Sequence, residues 1–307
     1  MTDDAIVLDD VCKSFGAFRA VDGVSLRVPR GSLYGFLGPN GSGKTTTLRM
    51  ITNILLPDRG RIEVLGANST AAARDRVAYL PEERGLYKKM TVRRLIHYYA
   101  SLKGRPRAEV AADLDGWLER FGLTPWIDRK VEVLSKGMSQ KLQFISAAVA
   151  RPELLVLDEP FSGLDPLAEV DLREAILELG RRGATIIFST HNMAVAETLC
   201  DRLFMIYRGK KVLDGTLEEI QSTHGEPVVR LGTPLGAAAV AGLPDIVGVS
   251  ERGRLLDVRL APGASPQALL HAVAARTLVT HFELARPSLH DVFVSIARPA
   301  PEDLRNA

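Results

Sequence analysis

The sequence has little cysteine, no long apolar run and almost no excess of charge. Cys12 and Cys200 are its only cysteines, which is too few for a zinc cluster or a disulfide framework and fits a reducing compartment. No segment approaches the roughly eighteen apolar residues of a transmembrane helix. The 39 basic and 37 acidic residues leave a net charge of +2, so electrostatics gives no argument for a nucleic-acid partner.

Several other signals are also missing. No internal repeat or heptad run is present, and the N-terminal stretch "MTDDAIVLDD" is acidic, unlike a signal peptide. These absences exclude solenoid, coiled-coil and disulfide-rich secreted proteins. They predict a globular chain in the cytoplasm that does not cross a membrane by itself.

The first two thirds of the chain alternate between apolar runs and helical patterns. The runs "GSLYGFLG", "ELLVLDEP" and "ATIIFSTH" are apolar on both faces, as buried parallel strands are. The segments "AIVLDDVCKSF" and "VSLRVP" alternate in polarity, which indicates antiparallel strands. The alternation predicts a layered α/β domain, and its helices are expected at 44–54, 91–102, 108–121, 135–150, 168–180 and 193–200.

The pattern changes near "QSTHGEP" at 221–227. The chain beyond this point is rich in Ala, Gly and Pro, with strand-like "VVRL" and "LLDVRL" and a helical pattern at 266–276. We therefore predict a first domain over 4–222, a small C-terminal α/β domain over 225–299 and a frayed tail at 300–307.

The stretch "GPNGSGKTT" matches the phosphate-binding pattern G-x-x-x-x-G-K-[ST] between a predicted strand and a predicted helix. Its glycines let backbone N–H groups turn inward, its lysine suits the β- and γ-phosphates, and its threonine suits Mg²⁺. The predicted nucleotide-binding residues are Gly38, Pro39, Asn40, Gly41, Ser42, Gly43, Lys44, Thr45 and Thr46.

The apolar run "LLVLDEP" would deliver two carboxylates at the end of a strand. Asp158 is expected to hold the metal through water, and Glu159 to orient and deprotonate the attacking water. His191 ends the next apolar strand. If that strand lies beside the one that carries Glu159, His191 points into the same cleft and can reach the γ-phosphate.

An aromatic side chain could stack on the base of the nucleotide. Phe15, in "KSFGAF", is the candidate, and Phe18 is the nearby competitor. A core residue of an edge strand is the alternative explanation for Phe15.

The stretch "LSKGM" at 134–138 raises a question, because it predicts a second phosphate-facing helix start about ninety residues after the first. Ser135 is a good N-cap, and Leu142, Ile145 and Val149 occur after it at helical spacing. A capped core helix without any ligand explains the same spacing equally well.

Together these motifs, with "SGLDP" at 162–166, resemble the ATP-binding cassette (ABC) ATPases over residues 4–220. The resemblance implies a P-loop fold with a parallel core sheet, an antiparallel β subdomain and a helical subdomain at about 84–150. It implies ATP and Mg²⁺, and a head-to-tail dimer in which Ser135 and Gly137 cover the partner's nucleotide. Asp165 and Ser162 would then cross the dimer axis.

The chain departs from the family pattern at two places. The common signature LSGGQ has Lys136 and Met138 here, and the position that is usually a glutamine is Glu82 in "YLPEERGLY", a weaker candidate metal ligand. The motifs also resemble the exporter-type branch, whose permease is a separate chain; "PSLHDVFV" resembles the close of its extra C-terminal domain. This implies a homodimer or paired ATPase subunits at the cytoplasmic face of the cell membrane, in contact with a permease.

Two alternatives compete with an ATP-driven exporter. Non-transport ABC ATPases that act on nucleic acid or ribosomes generally have paired cassettes, coiled-coil inserts or zinc hooks, whereas this chain has one cassette and none of those features. A P-loop GTPase or kinase is disfavoured because N-K-x-D is absent and "LSKGM" would have no role. The transported substrate is not predicted by the sequence.

Overall fold

The computed structural model describes residues 4–67, 70–83, 85–224 and 228–297. The chain divides into two compact units between Thr216 and Leu217. The helix at 217–224 therefore belongs to the second unit. The predicted boundaries at 84, 225 and 299, and the predicted tail at 300–307, lie outside the described residues.

The first unit alternates strands and helices along the chain, as the apolar runs indicate. Its strands are β1 (Asp4–Phe15), β2 (Phe18–Pro29), β3 (Leu33–Leu37), β4 (Arg59–Val64), β5 (Val77–Leu80), β6 (Leu154–Asp158), β7 (Thr185–Thr190), β8 (Arg202–Tyr207) and β9 (Lys210–Gly215). Its α-helices are α1 (Lys44–Ile51), α2 (Val92–Leu102), α3 (Arg107–Arg120), α4 (Lys136–Ala148), α5 (Pro166–Arg181) and α6 (Met193–Leu199). Each predicted helix of the first domain coincides with one of these.

The main sheet has the order β5-β6-β7-β3-β8-β9, and its pairs are parallel except for β8 with β9. Both faces are covered, which explains why the strands are apolar throughout. In β6, for example, Leu155 and Leu157 pack against the helical layer, whereas Leu154 and Val156 pack on the side of α1 and the second sheet. The prediction of buried parallel strands is confirmed.

The second sheet of this unit is antiparallel, with the order β2-β1-β4. Only one of its faces is buried, so apolar and polar residues alternate in β1: Ile6 and Leu8 are buried and Asp9 is exposed. Its buried face joins α1 and one face of the main sheet in a common core. The antiparallel prediction for the N-terminal segments is confirmed.

Helices α2, α3 and α4 pack together over the other face of the main sheet. At the centre of this helical core Trp117 stacks on Phe121, and Phe144 packs edge-to-face against both. Of the helices in the described residues, none is both long enough and apolar enough to cross a membrane.

The second unit has its own core. It contains α7 (Leu217–His224), β10 (Val228–Gly232), β11 (Ile246–Arg252), β12 (Leu255–Leu260), α8 (Pro266–Ala274), β13 (His281–Ala285) and α9 (Leu289–Ala297). The strands form an antiparallel sheet with the order β11-β12-β10-β13. Val229, Leu231 and Val258 pack on one face of this sheet, with Leu269 and Val273 from α8.

Candidate active site

Three neighbouring strands of the main sheet end at the same edge. In the order β6-β7-β3, the first strand ends in Asp158 and is followed by Glu159, the second is followed by His191, and the third by the glycine-rich loop that opens α1. Carboxyl ends of parallel strands are where α/β sheets bind ligands. The predicted pairing of the strand of His191 with the strand of Glu159 is confirmed.

The glycine-rich loop has a backbone that other residues cannot adopt. Gly38 has φ 149 and Gly43 has φ 112. A Cβ on Gly38 would lie 2.3 Å from the carbonyl oxygen of Ile206, and a Cβ on Gly43 would lie 2.5 Å from that of Ala20. The loop is therefore pressed against β8 and β2, and glycine is required at both positions.

Two polar side chains of the loop fit a phosphate group. The Lys44 ammonium donates to the carbonyl oxygens of Gly38 and Pro39, at 2.7 and 3.2 Å, and so lies inside the curve of the loop. The Ser42 hydroxyl is buried, and no residue that the structure describes is hydrogen-bonded to it. A buried hydroxyl without a partner is unfavourable, and a phosphate oxygen in the loop would supply the missing acceptor.

The Asp158 carboxylate is fully buried and is held by hydroxyl groups from three elements. Ser189 and Thr45 donate to its Oδ1 at 2.6 and 3.1 Å, and Tyr79 donates to its Oδ2 at 3.3 Å. Burial and the nearby Asp158 charge raise the pKa of Tyr79 to about 12, so its hydroxyl remains a donor. The Thr45 hydroxyl beside a carboxylate forms an oxygen donor set that suits Mg²⁺.

The Glu159 carboxylate lies between two basic groups. Its Oε1 is 3.6 Å from the Lys44 ammonium, and its Oε2 is 3.1 Å from His191 Nδ1. Oε1 is buried and accepts no hydrogen bond from any described residue, so an acceptor is left for a water proton. Glu159 also has φ 48, a left-handed backbone that costs energy in a residue other than glycine and is concentrated at functional sites.

The aromatic candidates for base stacking lie at the tip of the hairpin formed by β1 and β2. Phe15 pairs with Phe18, and their side chains are 49% and 61% exposed. The hairpin approaches the phosphate loop at Ala20, whose carbonyl oxygen faces Gly43. Both rings therefore stay candidates, and neither is the buried core residue of the alternative explanation.

The structure gives less support for the predicted roles of Glu82 and Asp165. Glu82 is exposed in the loop after β5, and within the described residues no hydrogen bond joins it to Thr45 or Asp158. Asp165 is the N-cap of α5, where its Oδ1 accepts from the backbone N–H of Ala168 at 2.9 Å. Roles for these residues in holding metal or in crossing a dimer axis remain predictions.

The start of α4 is capped as predicted but faces outward. The Ser135 hydroxyl accepts from the backbone N–H of Met138 at 3.2 Å. Ser135 and Lys136 are exposed, and a Cβ on Gly137 would meet no atom within 4 Å. Within the described residues no hydrogen bond joins Ser135 or Gly137 to the phosphate loop.

Sequence reasoning missed three polar residues around the site: Ser189 and Tyr79 on Asp158, and Gln140. The buried Gln140 side chain of α4 donates to the carbonyl oxygen of Pro160 at 3.1 Å, just after Glu159. Ser189 had a signal, since it comes after three apolar residues of β7 and precedes His191 by two positions.

Comparison with known proteins agrees with this geometry. A family model described as ABC transporter matches residues 21–162. A second, described as the C-terminal domain of DrrA1-3-like ATP-binding proteins, matches residues 215–297. Each match falls largely within one of the two compact units.

Relatives match over nearly the whole chain. The uncharacterized ABC transporter ATP-binding protein YhaQ of Bacillus subtilis is 41% identical over 94% of this chain and 97% of its own length. The daunorubicin resistance ATP-binding protein DrrA3 of Streptomyces coeruleorubidus is 34% identical, over 96% of each chain.

A solved structure described as the ATP-binding subunit of an ABC transporter matches with a TM-score of 0.68 and 33% identity, over 71% of this chain and 92% of that one. YhaQ and this solved structure are named as parts of ABC transporters, which favours transport over the nucleic-acid alternative. Because its relatives match over nearly its whole length, the chain is an ATP-hydrolysing subunit and belongs to the family of ABC transporter ATP-binding proteins.

Proposed function

We propose that two copies of this subunit bind ATP and Mg²⁺ between them, in a head-to-tail dimer, and drive a separate membrane permease that exports its substrate. Within one copy, the ammonium of Lys44 and the hydroxyl of Ser42 would bind the phosphates. Thr45 and Asp158 would hold Mg²⁺, which neutralises charge on the β- and γ-phosphates when bound.

Glu159 would act on the attacking water, and His191 would hold Glu159 and contact the γ-phosphate. Glu159 Oε1 accepts a proton from the water, and its position is fixed by the contact of Oε2 with His191 Nδ1 at 3.1 Å. The other nitrogen of the imidazole, Nε2, is then left for the γ-phosphate. The ammonium of Lys44, 3.6 Å from Oε1, keeps this carboxylate close to the phosphates.

The observation that carries the dimer is the outward-facing start of α4. A capped helix start with a glycine in its first turn is a good anion site, and here Ser135 is exposed and Gly137 borders open space. In a two-fold dimer, this surface of each copy would cover the nucleotide that is bound by the other copy.

The permease contact is supported by an aromatic cluster in the helical layer. Tyr87, Tyr98 and Tyr99 pack against one another, and the side chains of Tyr87 and Leu102 are half exposed. Exposed aromatic groups are common in protein interfaces. Through the permease the subunit would lie at the cytoplasmic face of the membrane. Export is favoured because the relative DrrA3 is named for daunorubicin resistance.

The first test is the mass of Glu159→Gln in solution, with and without Mg-ATP. This change should slow hydrolysis and so accumulate the ATP-bound dimer. Adding Ser135→Arg should abolish dimerisation, because the long cation fills the space over the partner's phosphate. Ser265→Arg is the matched control, since Ser265 is the exposed N-cap of α8 in the second unit.

The outcomes are distinct. The proposal is supported if ATP dimerises Glu159→Gln and the double variant Glu159→Gln/Ser265→Arg, but does not dimerise Glu159→Gln/Ser135→Arg. If the Ser135→Arg double variant dimerises equally well, the start of α4 does not cover the partner's nucleotide. If ATP binds and no variant dimerises, repeating the measurement with the permease co-expressed shows whether the permease holds the two copies together.

A further inference from the structure

Ser189 is a buried residue of the main sheet whose two hydrogen bonds both lead into the active site. It lies in β7, fully buried, opposite Asp158 in the pairing of β6 with β7. Its Oγ donates to Asp158 Oδ1 at 2.6 Å and accepts from the backbone N–H of Glu159 at 2.9 Å. One oxygen atom therefore joins the proposed metal ligand to the backbone of the proposed base.

The backbone at Glu159 needs this contact. Strand β6 ends at Asp158, and the chain then turns to φ 48 at Glu159. The N–H of Glu159 is bonded to a side chain instead of a strand neighbour. A buried N–H requires an acceptor, and a left-handed residue other than glycine persists only when its surroundings hold it. Ser189 meets both requirements.

Few side chains can make the hydrogen bonds that Ser189 makes. The side chain must donate to a carboxylate and accept from an amide at the same atom, which a hydroxyl can do and an alkyl group cannot. The three preceding residues of β7 are apolar and buried. A hydroxyl in such a strand is unfavourable unless its hydrogen bonds are made.

We propose that Ser189 is a positioning residue for ATP hydrolysis, which fixes the Asp158 carboxylate and the turn at Glu159 relative to each other. It acts through these two residues and does not itself contact the nucleotide. The proposal rests on the roles proposed above for Asp158 and Glu159. His191, next after the end of the same strand, holds the Glu159 side chain, so β7 and its end fix the base at both its backbone and its carboxylate.

The same strand offers a matched control. Thr185 is buried at the other end of β7, and its Oγ1 accepts from the backbone N–H of Gly31 at 2.9 Å. It has the same kind of hydrogen bond as Ser189 and lies away from the site. Thr185→Val therefore measures the structural cost of removing a buried hydroxyl from β7.

The first measurement is ATP hydrolysis by the full chain at varied ATP and Mg²⁺. For Ser189→Ala we expect kcat to fall about 10- to 100-fold, as for other residues that orient metal ligands, with KM for ATP changed less than about twofold. Ser189→Thr, which keeps the hydroxyl, should recover most of the rate. Thr185→Val should keep kcat within about twofold of wild type, even if its Tm falls as far as that of Ser189→Ala.

The second measurement does not depend on turnover. Mn²⁺ binding in the presence of a non-hydrolysable ATP analogue, followed by electron paramagnetic resonance, should weaken about 10- to 100-fold in Ser189→Ala. Affinity for the analogue in EDTA should stay unchanged. If Ser189→Ala does not fold, Ser189→Cys replaces it, because a thiol has a similar shape but is a weak donor and acceptor.

The proposal is overturned if the folded variant keeps both wild-type kcat and wild-type Mn²⁺ affinity, or if Thr185→Val lowers kcat equally. The activity of Glu159→Gln shows whether the role proposed for Ser189 or the role proposed for Glu159 is wrong. An inactive Glu159→Gln beside a fully active Ser189→Ala overturns the role of Ser189 alone. A fully active Glu159→Gln overturns the proposed base, and with it the premise for Ser189.

Discussion

The phosphate loop and the start of α4 both lead into a helix N-terminus, which is the kind of backbone that suits an anion, but the first is closely packed and the second is exposed. The loop is fixed by close backbone contacts, and Lys44 inside it is only 6% exposed. At the start of α4, Ser135 is exposed and a Cβ on Gly137 would meet open space. The proposed head-to-tail dimer requires this difference: the phosphate loop binds the nucleotide within one copy, and the exposed start of α4 is free to cover the nucleotide of the other.

The largest expected effect is at the completed pocket. Glu159→Gln removes the proposed base while keeping the shape of the side chain, so kcat should fall by about 10²- to 10⁴-fold. Nucleotide binding should be retained. Phosphate release and the binding of a fluorescent ATP analogue measure the two quantities separately. Hydrolysis within a few-fold of wild type would mean that another group activates the water.

The next effect is on binding at the same pocket. Gly43→Ala adds a Cβ 2.5 Å from the carbonyl oxygen of Ala20, at φ 112, so the loop must shift. Strain of about 1–3 kcal/mol at such a position corresponds to a loss of ATP affinity of roughly 5- to 150-fold. Titration calorimetry measures it. Gly31→Ala is the control, because Gly31 also has a positive φ but borders open space.

The same substitution at α4 should give the opposite pattern. A Cβ on Gly137 would have no atom within 4 Å from the described residues outside its own stretch of helix. Alanine in a helix is favoured over glycine by about 0.5–1 kcal/mol. We expect unchanged or slightly raised Tm and unchanged ATP binding to a single copy. Hydrolysis should fall roughly tenfold, because the methyl group takes space beside the partner's phosphate. Full hydrolysis would show that Gly137 does not face a nucleotide.

The smallest expected effect is on the stability of the fold, through the ion pairs of Glu178. Arg120 of α3 and Arg182 both bond Glu178 of α5, and the hydrogen bond from Arg120 is the main reason that the pKa of Glu178 is lowered. A lowered pKa stabilises the fold above the unfolded value of about 4.3, and the effect is lost as pH falls through the folded pKa.

Glu178→Gln should therefore lower stability at pH 7 by at most about 1 kcal/mol, since this pair is partly exposed. The difference in Tm between wild type and variant should disappear as the pH is lowered below about 4. Thermal unfolding followed by circular dichroism at several pH values tests this. A difference that persists at low pH would contradict a role for the ionised carboxylate. ATP hydrolysis at pH 7 should stay unchanged, unlike in the Glu159 and Gly137 variants.

Sequence patterns predicted the layered fold and much of the pocket, because those features depend on local rules. Apolar runs mark strands that are buried on both faces, and the glycines of the phosphate loop mark backbone that only glycine adopts. The contacts of Ser189 and Tyr79 with Asp158 were missed, because a polar residue in a strand does not by itself show which side chain it meets across the sheet. Glu82 is predicted from its position alone, and within the described residues no hydrogen bond joins it to Thr45 or Asp158.

The sequence alone determined the elements, the phosphate loop and the capped start of α4, since each depends on residues close together in the chain. The tertiary structure decided which side chains meet. It placed the hydroxyls of Thr45, Tyr79 and Ser189 on one carboxylate, although they come from separate elements. It also left the start of α4 open. Contacts between distant segments depend on strand order and packing, which no local pattern specifies.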